Sequence, residues 1–410
     1  MTSPETKTPF VAIACGGTGG HLFPGLAVAK QLKLRGCEVA LLVSPKDVDQ
    51  QAVKSANGME IFTLPAIGLQ NRNYFSFAGS FVKSLFAARK FFRKRGPAAV
   101  LAMGGFTSAP PIFIAKDMGI QAFLHESNTI PGRANRFLSR FVDGAFVGFP
   151  EAAARLKTSK VAVTGTPVRQ QFQPQDAARC RSALGLDPDR PTILVVGGSQ
   201  GASGLNEMIL SALPCFAERG RLAREFGLGG EHAGGPPMLQ FLHLTGAKDF
   251  EKVSAAYSAR KLNAVVKPFL AEMDLALGAA TVAVSRAGAS SLAEIAAMRL
   301  PALLVPFPAA ADNHQFSNAG AFEKTGAAVL LEQKNSTPEK IAAILAKLVE
   351  DETARSQMQS ALVQWHAPKA AEQIAENILS AVARRQEKMA QSKTKTCGCG
   401  HAHGAARHAH

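Results

Sequence analysis

Residues 15–21 read Cys-Gly-Gly-Thr-Gly-Gly-His, and they join an apolar run, Phe10–Ala14, to a stretch with helical spacing, Leu22–Arg35. This order predicts a buried strand, a glycine-rich turn and a helix. Four glycines in five residues let backbone N–H groups approach a ligand, and the helix N-terminus adds partial positive charge. The segment therefore predicts a phosphate or oxyanion site with the imidazole of His21 beside it.

Two common nucleotide-binding motifs do not fit this turn. Leu22 stands where the third glycine of G-x-G-x-x-G would be, and the lysine of G-x-x-x-x-G-K-[ST] is missing. A dehydrogenase or an ordinary nucleotide hydrolase is therefore less favoured. The alternative is a merely tight turn, which would explain one or two glycines but hardly four with an adjacent histidine.

Apolar runs alternate with helical stretches along most of the chain, which predicts parallel sheets covered by helices. Strands are expected in the first half at Phe10–Ala14, Glu38–Val43, Glu60–Leu64, Ala98–Ala102, Gln121–Leu124 and Gly144–Val147, with a last one near Val161. A second series is expected at Thr192–Val196, Gln240–Leu244, Ala264–Val266, Val282–Val284, Ala302–Val305 and Ala327–Leu330. Because the second series again opens with a strand, a glycine turn and a helix, we expect two related α/β domains that face each other.

These patterns divide the chain into four parts. We expect an N-terminal domain at residues 1–167, a C-terminal domain at 168–365, a closing helix at 366–385 that returns to the N-terminal domain, and a disordered Cys/His-rich tail at 386–410. Residues 219–237 mix glycine, proline and charge, which predicts a surface loop. The tail carries metal-binding side chains, but its glycine and alanine spacing offers no fixed geometry, so we expect no functional metal site there.

The composition points to an anionic partner. The 410-residue chain has a formal net charge of +15, which suits nucleic acid, an anionic membrane or a phosphorylated substrate. We see no apolar run of about 18 residues and no secretory leader, so we expect neither a membrane-spanning helix nor export from the cytoplasm. Cys15, Cys37, Cys180 and Cys215 are scattered, as expected of free thiols in a reducing compartment.

Residues 72–95 combine seven basic side chains and no acidic one with phenylalanines at helical spacing. Such a helix can lie in an anionic membrane interface, where each basic group near the surface contributes roughly 1 kcal/mol. A core-packed helix with a solvated basic face explains the same pattern equally well.

Ligands of parallel sheets bind where the carboxyl ends of strands open into loops. Two glycine turns occupy such positions, and together they predict a diphosphate site formed by Gly16, Gly17, Gly104, Gly105, Thr107 and Ser108. In the second half, Ser290 or Ser291 can cap a helix whose N-terminus meets phosphate, and Glu294 can accept bonds from a ribose diol. A solvated glutamate near a helix N-terminus explains Glu294 as well.

Six segments, in this order, are similar to one known family: residues 16–29, 103–110, 125–128, 165–169, 197–202 and 285–294. Across about residues 9–382 the chain resembles the MurG family, the UDP-N-acetylglucosamine–N-acetylmuramyl-(pentapeptide) pyrophosphoryl-undecaprenol N-acetylglucosamine transferases of peptidoglycan synthesis. The resemblance implies a GT-B architecture of two Rossmann-like domains around a cleft. It also implies a metal-independent, inverting transfer from UDP-N-acetylglucosamine to the muramyl 4-hydroxyl of lipid I, giving lipid II without a cofactor. The acceptor would be undecaprenyl-pyrophosphoryl-muramyl-pentapeptide, met at the cytoplasmic face of the cell membrane.

The resemblance also implies roles for individual residues. The donor contacts carried over by position are Thr18, Gly19, Gly20, Asn128, Arg169, Ser199, Leu270, Ala289, Ser290, Ser291, Leu292, Ala293, Glu294 and Gln315. His21 is the candidate general base for the acceptor hydroxyl, with Glu126 as its partner or competitor. Ser127 and Phe106 depart from the family pattern, where Gln and Tyr are usual, which puts nearby substrate contacts in doubt.

The strong positive charge also permits a different class of protein, one that binds nucleotide sugars or nucleic acid without catalysis. Aromatic and basic residues are not interleaved in an RNA-recognition pattern, so we expect no nucleic-acid partner. A transferase acting on another lipid-linked acceptor is the nearer alternative.

Overall fold

The computed structural model describes residues 8–45, 58–66, 74–198, 201–225 and 239–397. Over these residues the chain forms two parallel sheets, one of seven strands and one of six. Each sheet alternates with helices along the sequence, as the apolar pattern predicts. The strand predictions agree with the structure to within two residues at each end.

The N-terminal sheet has the order β3-β2-β1-β4-β5-β6-β7. Its strands are β1 (Phe10–Ala14), β2 (Glu38–Val43), β3 (Glu60–Thr63), β4 (Ala99–Ala102), β5 (Gln121–Glu126), β6 (Gly144–Val147) and β7 (Val161–Val163). The side chains of β1 alternate between two cores, with Val11 and Ile13 on one face and Phe10 and Ala12 on the other. Because both faces are buried, this strand is a continuous apolar run.

The N-terminal helices are α1 (Gly19–Leu34), α2 (Tyr74–Arg95), α3 (Ala109–Asp117) and α4 (Arg133–Leu138), followed by a 3-10 helix at Pro150–Arg155. Helix α1 begins at Gly19 rather than Leu22, because the Thr18 carbonyl already accepts the N–H groups of His21 and Leu22. His21 therefore lies in the first turn of α1. Strand β5 also runs further than predicted, since Glu126 still pairs with Val147 of β6.

The C-terminal sheet has the order β10-β9-β8-β11-β12-β13. Its strands are β8 (Thr192–Val196), β9 (Gln240–Leu244), β10 (Ala264–Lys267), β11 (Val282–Ser285), β12 (Ala302–Leu304) and β13 (Val329–Leu330). The helices of this half are α5 (Ala177–Ala183), α6 (Ser203–Glu225), α7 (Phe250–Ala259), α8 (Met273–Ala279), α9 (Ala289–Met298), α10 (His314–Lys324), α11 (Pro338–Glu350) and α12 (Glu352–Leu362). Short 3-10 helices lie at Ala247–Asp249, Ala311–Asn313, Gln333–Asn335 and Val363–Trp365.

The last helix, α13 (Ala370–Cys397), returns to the N-terminal half. Ile374 and Ile378 are buried in the same core as α1, and Arg35 forms ion pairs with Glu372 and Glu376. The helix continues to Cys397, so the expectation of disorder from residue 386 is wrong for residues 386–397. Residues 398–410 lie outside the described part of the chain.

The predicted loop at residues 219–237 is also partly helical, because α6 continues to Glu225. The helix begins at Ser203, well before the predicted loop. Residues 226–238 lie outside the described part of the chain.

An aromatic contact joins the two halves. Phe149 follows β6 of the N-terminal sheet, yet it packs in the C-terminal core against Trp365, 5.4 Å between ring centroids. Trp365 in turn stacks on Phe322 at 4.5 Å. Among the described residues no helix is long and apolar enough to cross a membrane, and no cluster of three His, Cys, Asp or Glu side chains could hold a metal ion.

Candidate active site

The two glycine turns of the N-terminal half meet around His21. Gly104 and Gly105 adopt positive φ angles of 112° and 77°. A Cβ atom at Gly104 would lie 2.9 Å from His21 Nε2, and one at Gly105 would lie 3.1 Å from His21 Nδ1. Only glycine fits both the backbone and the space there. The turn at residues 103–108 thus supports the imidazole, whose Nδ1 is also 3.2 Å from Thr18 Oγ1.

The hydroxyls of Thr107 and Ser108 tie these turns together and are fully buried. Thr107 donates to the Gly16 carbonyl at 2.7 Å, and Ser108 donates to the Gly104 carbonyl at 2.6 Å. Both side chains were predicted as anion ligands. Their hydroxyl protons are used inside the protein, where they hold the loop shape, and anion binding by these side chains stays a prediction.

Glu126 lies at the end of β5 and is 3% exposed. One carboxylate oxygen accepts the backbone N–H and the side-chain amide of Asn128, and the other accepts the Gly132 N–H and the Asn135 amide. A carboxylate with four donors is already satisfied. Through these four hydrogen bonds Glu126 holds the loop 127–135 in place. This arrangement does not favour the role of competing base that was expected for Glu126.

His125, next to Glu126, is fully buried beneath the site. Its Nε2 donates to the Gly165 carbonyl at 3.1 Å, and its Nδ1 lies 3.3 Å from Ser127 Oγ. The pKa of His125 is lowered to about 4, mainly by burial; the hydrogen bond to Gly165 raises it, and the nearby His21 lowers it. The ring is therefore neutral at pH 7, which places Ser127 as the donor to Nδ1.

Arg169 and Glu294 face each other across the cleft, with Nη2 3.8 Å from Oε1. The Arg169 guanidinium lies 4.2 Å from the ring centroid of Phe23 in α1 and 4.8 Å from that of Phe172. Burial lowers the pKa of Arg169, and its buried Nε has no hydrogen-bond partner. The guanidinium is held in a fixed plane with donor capacity left over.

Glu294 lies one turn into α9, and 17% of its side chain is exposed. Burial raises its pKa to about 7; Arg169 acts in the opposite direction, and Asp274 raises it. A carboxyl group with this environment in a cleft marks a candidate functional position. Arg169 is thus a cation whose orientation is fixed by its neighbours, and Glu294 beside it is a carboxyl group with little access to water.

The N-terminus of α9 meets the first glycine turn directly. Ser290 Oγ donates to the Gly20 carbonyl at 2.9 Å across the cleft. The helix begins at Ala289 with Gly288 as its N-cap, and the cap makes no side-chain hydrogen bond. The prediction that Ser290 or Ser291 caps this helix is therefore wrong, because the extended backbone of Gly288 ends the loop two residues before Ser290.

The other expected donor contacts are distributed around this point. Gln315 Oε1 accepts the Phe307 N–H at 2.9 Å, and Leu270 is 9% exposed. The side chain of Leu292 is in the core, 1% exposed, so only its backbone could meet a ligand. Ser199 lies outside the described residues.

Asn318 in α10 was not among the residues predicted for the site. It is fully buried, and its amide donates to Asn128 Oδ1 at 3.0 Å and to the Ala287 carbonyl at 3.1 Å. Its oxygen accepts the N–H and hydroxyl of Thr129, each at 2.9 Å. All four hydrogen bonds that the side-chain amide can make are formed, and they connect the loop after β5 with the loop before α9.

Comparison with known proteins gives consistent relatives for both halves. Residues 11–147 match the glycosyltransferase family 28 N-terminal domain, and residues 192–378 match the glycosyltransferase family 28 C-terminal domain. A UDP-N-acetylglucosamine–N-acetylmuramyl-(pentapeptide) pyrophosphoryl-undecaprenol N-acetylglucosamine transferase of Anaeromyxobacter sp. (strain Fw109-5) is 36% identical, covering 91% of this chain and 93% of its own. The protein of the same name from Xanthomonas campestris pv. campestris (strain 8004) is 36% identical, covering 90% and 81%.

Solved structures agree with these relatives. The crystal structure of MurG from Acinetobacter baumannii superposes with a TM-score of 0.66 at 28% identity, covering 91% of this chain and 99% of its own. The calicheamicin glycosyltransferase CalG4 gives a TM-score of 0.63 at 16% identity, covering 92% and 100%. At that identity the second likeness concerns the fold alone.

Proposed function

Because this chain belongs to the MurG family, we propose that it transfers N-acetylglucosamine from UDP-N-acetylglucosamine to the muramyl 4-hydroxyl of lipid I, giving lipid II. It is a glycosyltransferase with the GT-B arrangement of two parallel-sheet domains. The family and the fold class predicted from the sequence motifs are thereby confirmed. The observation that carries the proposal is the likeness of both domains, along nearly the whole chain, to named transferases of this activity.

The donor would bind between the N-terminus of α9 and Arg169. Departure of UDP leaves negative charge on the diphosphate, and preorganised donors placed where that charge develops stabilise the transition state. The guanidinium of Arg169, beside Glu294, and the N–H groups at Ala289 and Ser290 would meet this need. In this proposal the protein's own groups, rather than a metal ion, neutralise the leaving group.

Glu294 would hold the ribose of the donor. Its carboxyl group lies 3.8 Å from Arg169, and among the described residues it forms no other ion pair. Diol hydroxyls would supply the donors that it lacks, and a charge-assisted hydrogen bond of this kind is worth about 1.5–3 kcal/mol. Donor binding should therefore favour the ionised form of Glu294.

His21 would be the general base for the acceptor hydroxyl. Its imidazole lies between the two glycine turns and close to the cross-cleft contact of Gly20 with Ser290. A positioned base contributes roughly 10²–10⁴ in rate. We assign this role to His21 rather than Glu126, because the four hydrogen bonds of Glu126 leave its carboxylate no position for a substrate proton.

Helix α2 would dock the enzyme on the cytoplasmic leaflet of the cell membrane. One face of the helix is in the core, where Phe92 and Ala88 are fully buried. The opposite stripe exposes Phe75 by 93%, Val82 by 47% and Phe86 by 71%. The buried face agrees with the core-packed alternative, and the exposed apolar stripe supports the proposal that the other face meets a membrane.

The same helix carries exposed cations near its apolar stripe. We call them the basic face of α2, which consists of Lys83, Lys90, Arg93 and Lys94. Exposed aromatic side chains beside several cations suit an anionic lipid surface. A lipid-linked acceptor would be met at that surface.

A transfer assay tests the proposed function. Labelled UDP-N-acetylglucosamine and a synthetic lipid-linked muramyl acceptor should give a disaccharide product with the parent protein. A variant with Arg181→Gln, at the opposite edge of the C-terminal sheet, serves as a control that should remain active. Absence of product, or transfer only to a different lipid-linked acceptor, would contradict the proposal.

A further inference from the structure

Arg286 is a buried cation at the carboxyl edge of the C-terminal sheet. It follows β11 directly, lies three residues before the start of α9, and is 6% exposed. Its Nη1 donates to the carbonyls of Val305 and Pro306, each at 3.1 Å. Its Nη2 donates to Gln333 Oε1 at 3.0 Å. None of the three partners carries a negative charge.

The charge of Arg286 has no counter-ion among the described residues. No carboxylate of the described chain forms an ion pair with it, and its buried Nε has no hydrogen-bond partner. Burial lowers the pKa of Arg286, and no acidic group opposes that effect. An unpaired buried charge is costly, so its presence at a ligand-binding edge calls for a compensating anion.

Two helix N-termini lie on either side of Arg286. Gln333, its partner, packs on the first turn of α6, since a Cβ at Gly204 would lie 2.7 Å from Gln333 Nε2. On the other side the chain leads into α9. Two acids of this domain have other partners, because Asp249 accepts the Asn206 amide at 2.8 Å and Glu294 lies 3.8 Å from Arg169. The positive ends of two helices and one guanidinium are thus gathered without a matching negative charge.

We propose that Arg286 is an electrostatic positioning residue for the UDP diphosphate, placed behind the loop that receives it. The inference rests on the proposed function, and it adds a second fixed cation to Arg169. Arg169 lies 3.8 Å from Glu294 and would contact the ligand directly. Arg286 keeps its hydrogen bonds to the protein and acts through its charge.

The test compares binding of uridine and UDP by calorimetry in the full-length protein. Arg286→Gln removes the charge, Arg286→Lys keeps it, and Arg181→Gln is the matched control. Arg181 is a partly buried arginine that donates to the carbonyls of Ala279 and Pro188, at the amino edge of the same sheet. The measured quantity is the preference for UDP over uridine, which a purely structural role would leave unchanged.

We expect Arg286→Gln to reduce this preference by about tenfold or more, with uridine affinity nearly unchanged. Arg286→Lys and Arg181→Gln should keep the preference within about threefold. Equal loss of uridine and UDP affinity in the Gln variant would overturn the inference. If the Gln variant does not fold, the Lys variant decides, since a tenfold loss of preference with the charge retained would equally overturn it. A parent protein that does not bind UDP would contradict the proposed function itself.

Discussion

Replacement of Glu294 by glutamine should stabilise the ligand-free protein at alkaline pH while it weakens donor binding. Burial raises the pKa of Glu294 from 4.5 to about 7, so the folded protein holds this proton more tightly than the unfolded chain does. Between these two pH values folding takes up a proton, and stability falls as the pH rises. The loss is complete above the folded-state pKa.

The magnitude follows from the size of this difference. One pKa unit corresponds to about 1.4 kcal/mol, so the full effect is about 3 kcal/mol, most of which develops between pH 5 and pH 8. Glutamine cannot ionise. The free energy of unfolding of Glu294→Gln should therefore fall by about 2–3 kcal/mol less than that of the parent between pH 5 and pH 8. Michaelis constants for UDP-N-acetylglucosamine should rise about tenfold or more, since the ribose loses a charged acceptor.

Urea denaturation of both proteins at pH 5 and pH 8 gives the stability difference directly. Glu251→Gln, an exposed position in the first turn of α7, is the matched control and should keep the pH dependence of the parent. If the parent and the Glu294→Gln variant changed stability in parallel between the two pH values, the buried, proton-binding state of Glu294 would be refuted. An unchanged donor Michaelis constant would refute its place in the donor site.

Three further outcomes are expected. His21→Ala should lower kcat by roughly 10²–10⁴ and leave both KM values near those of the parent, whereas a variant that mainly raises a KM would assign His21 to binding. Replacement of all four residues of the basic face of α2 by glutamine should weaken binding to anionic vesicles at low salt. Activity on a short water-soluble acceptor should be unchanged. Vesicle binding equal to that of the parent would exclude this face as the membrane-binding surface. Chelator treatment, or deletion of residues 398–410, should leave transfer activity intact, and activity restored only by added metal would contradict charge neutralisation by Arg169 and backbone N–H groups.

The positions of the strands and of the glycine turns could be predicted from the sequence because they depend on local patterns. A parallel strand that is buried on both faces, such as β8, has a continuous apolar sequence, whichever helices pack on its two faces. The carboxyl ends of β1 and β4 lie at one edge of the sheet, so the turns that follow them had to be neighbours. Ordered motifs across the chain were specific enough to identify the family.

What individual side chains do at the site was decided by tertiary contacts. Thr107 looks like a ligand in the sequence, but its hydroxyl donates to the carbonyl of Gly16, which is distant in sequence. The hydroxyl of Ser108 and the carboxylate of Glu126 bind groups close by in the chain, and residue type alone does not reveal those contacts. Asn318 carries no local signal, since an asparagine in a helix is an ordinary surface residue. Its burial depends on segments distant in sequence that meet only in the folded chain, and a periodic pattern records which face is buried but not which partner covers it.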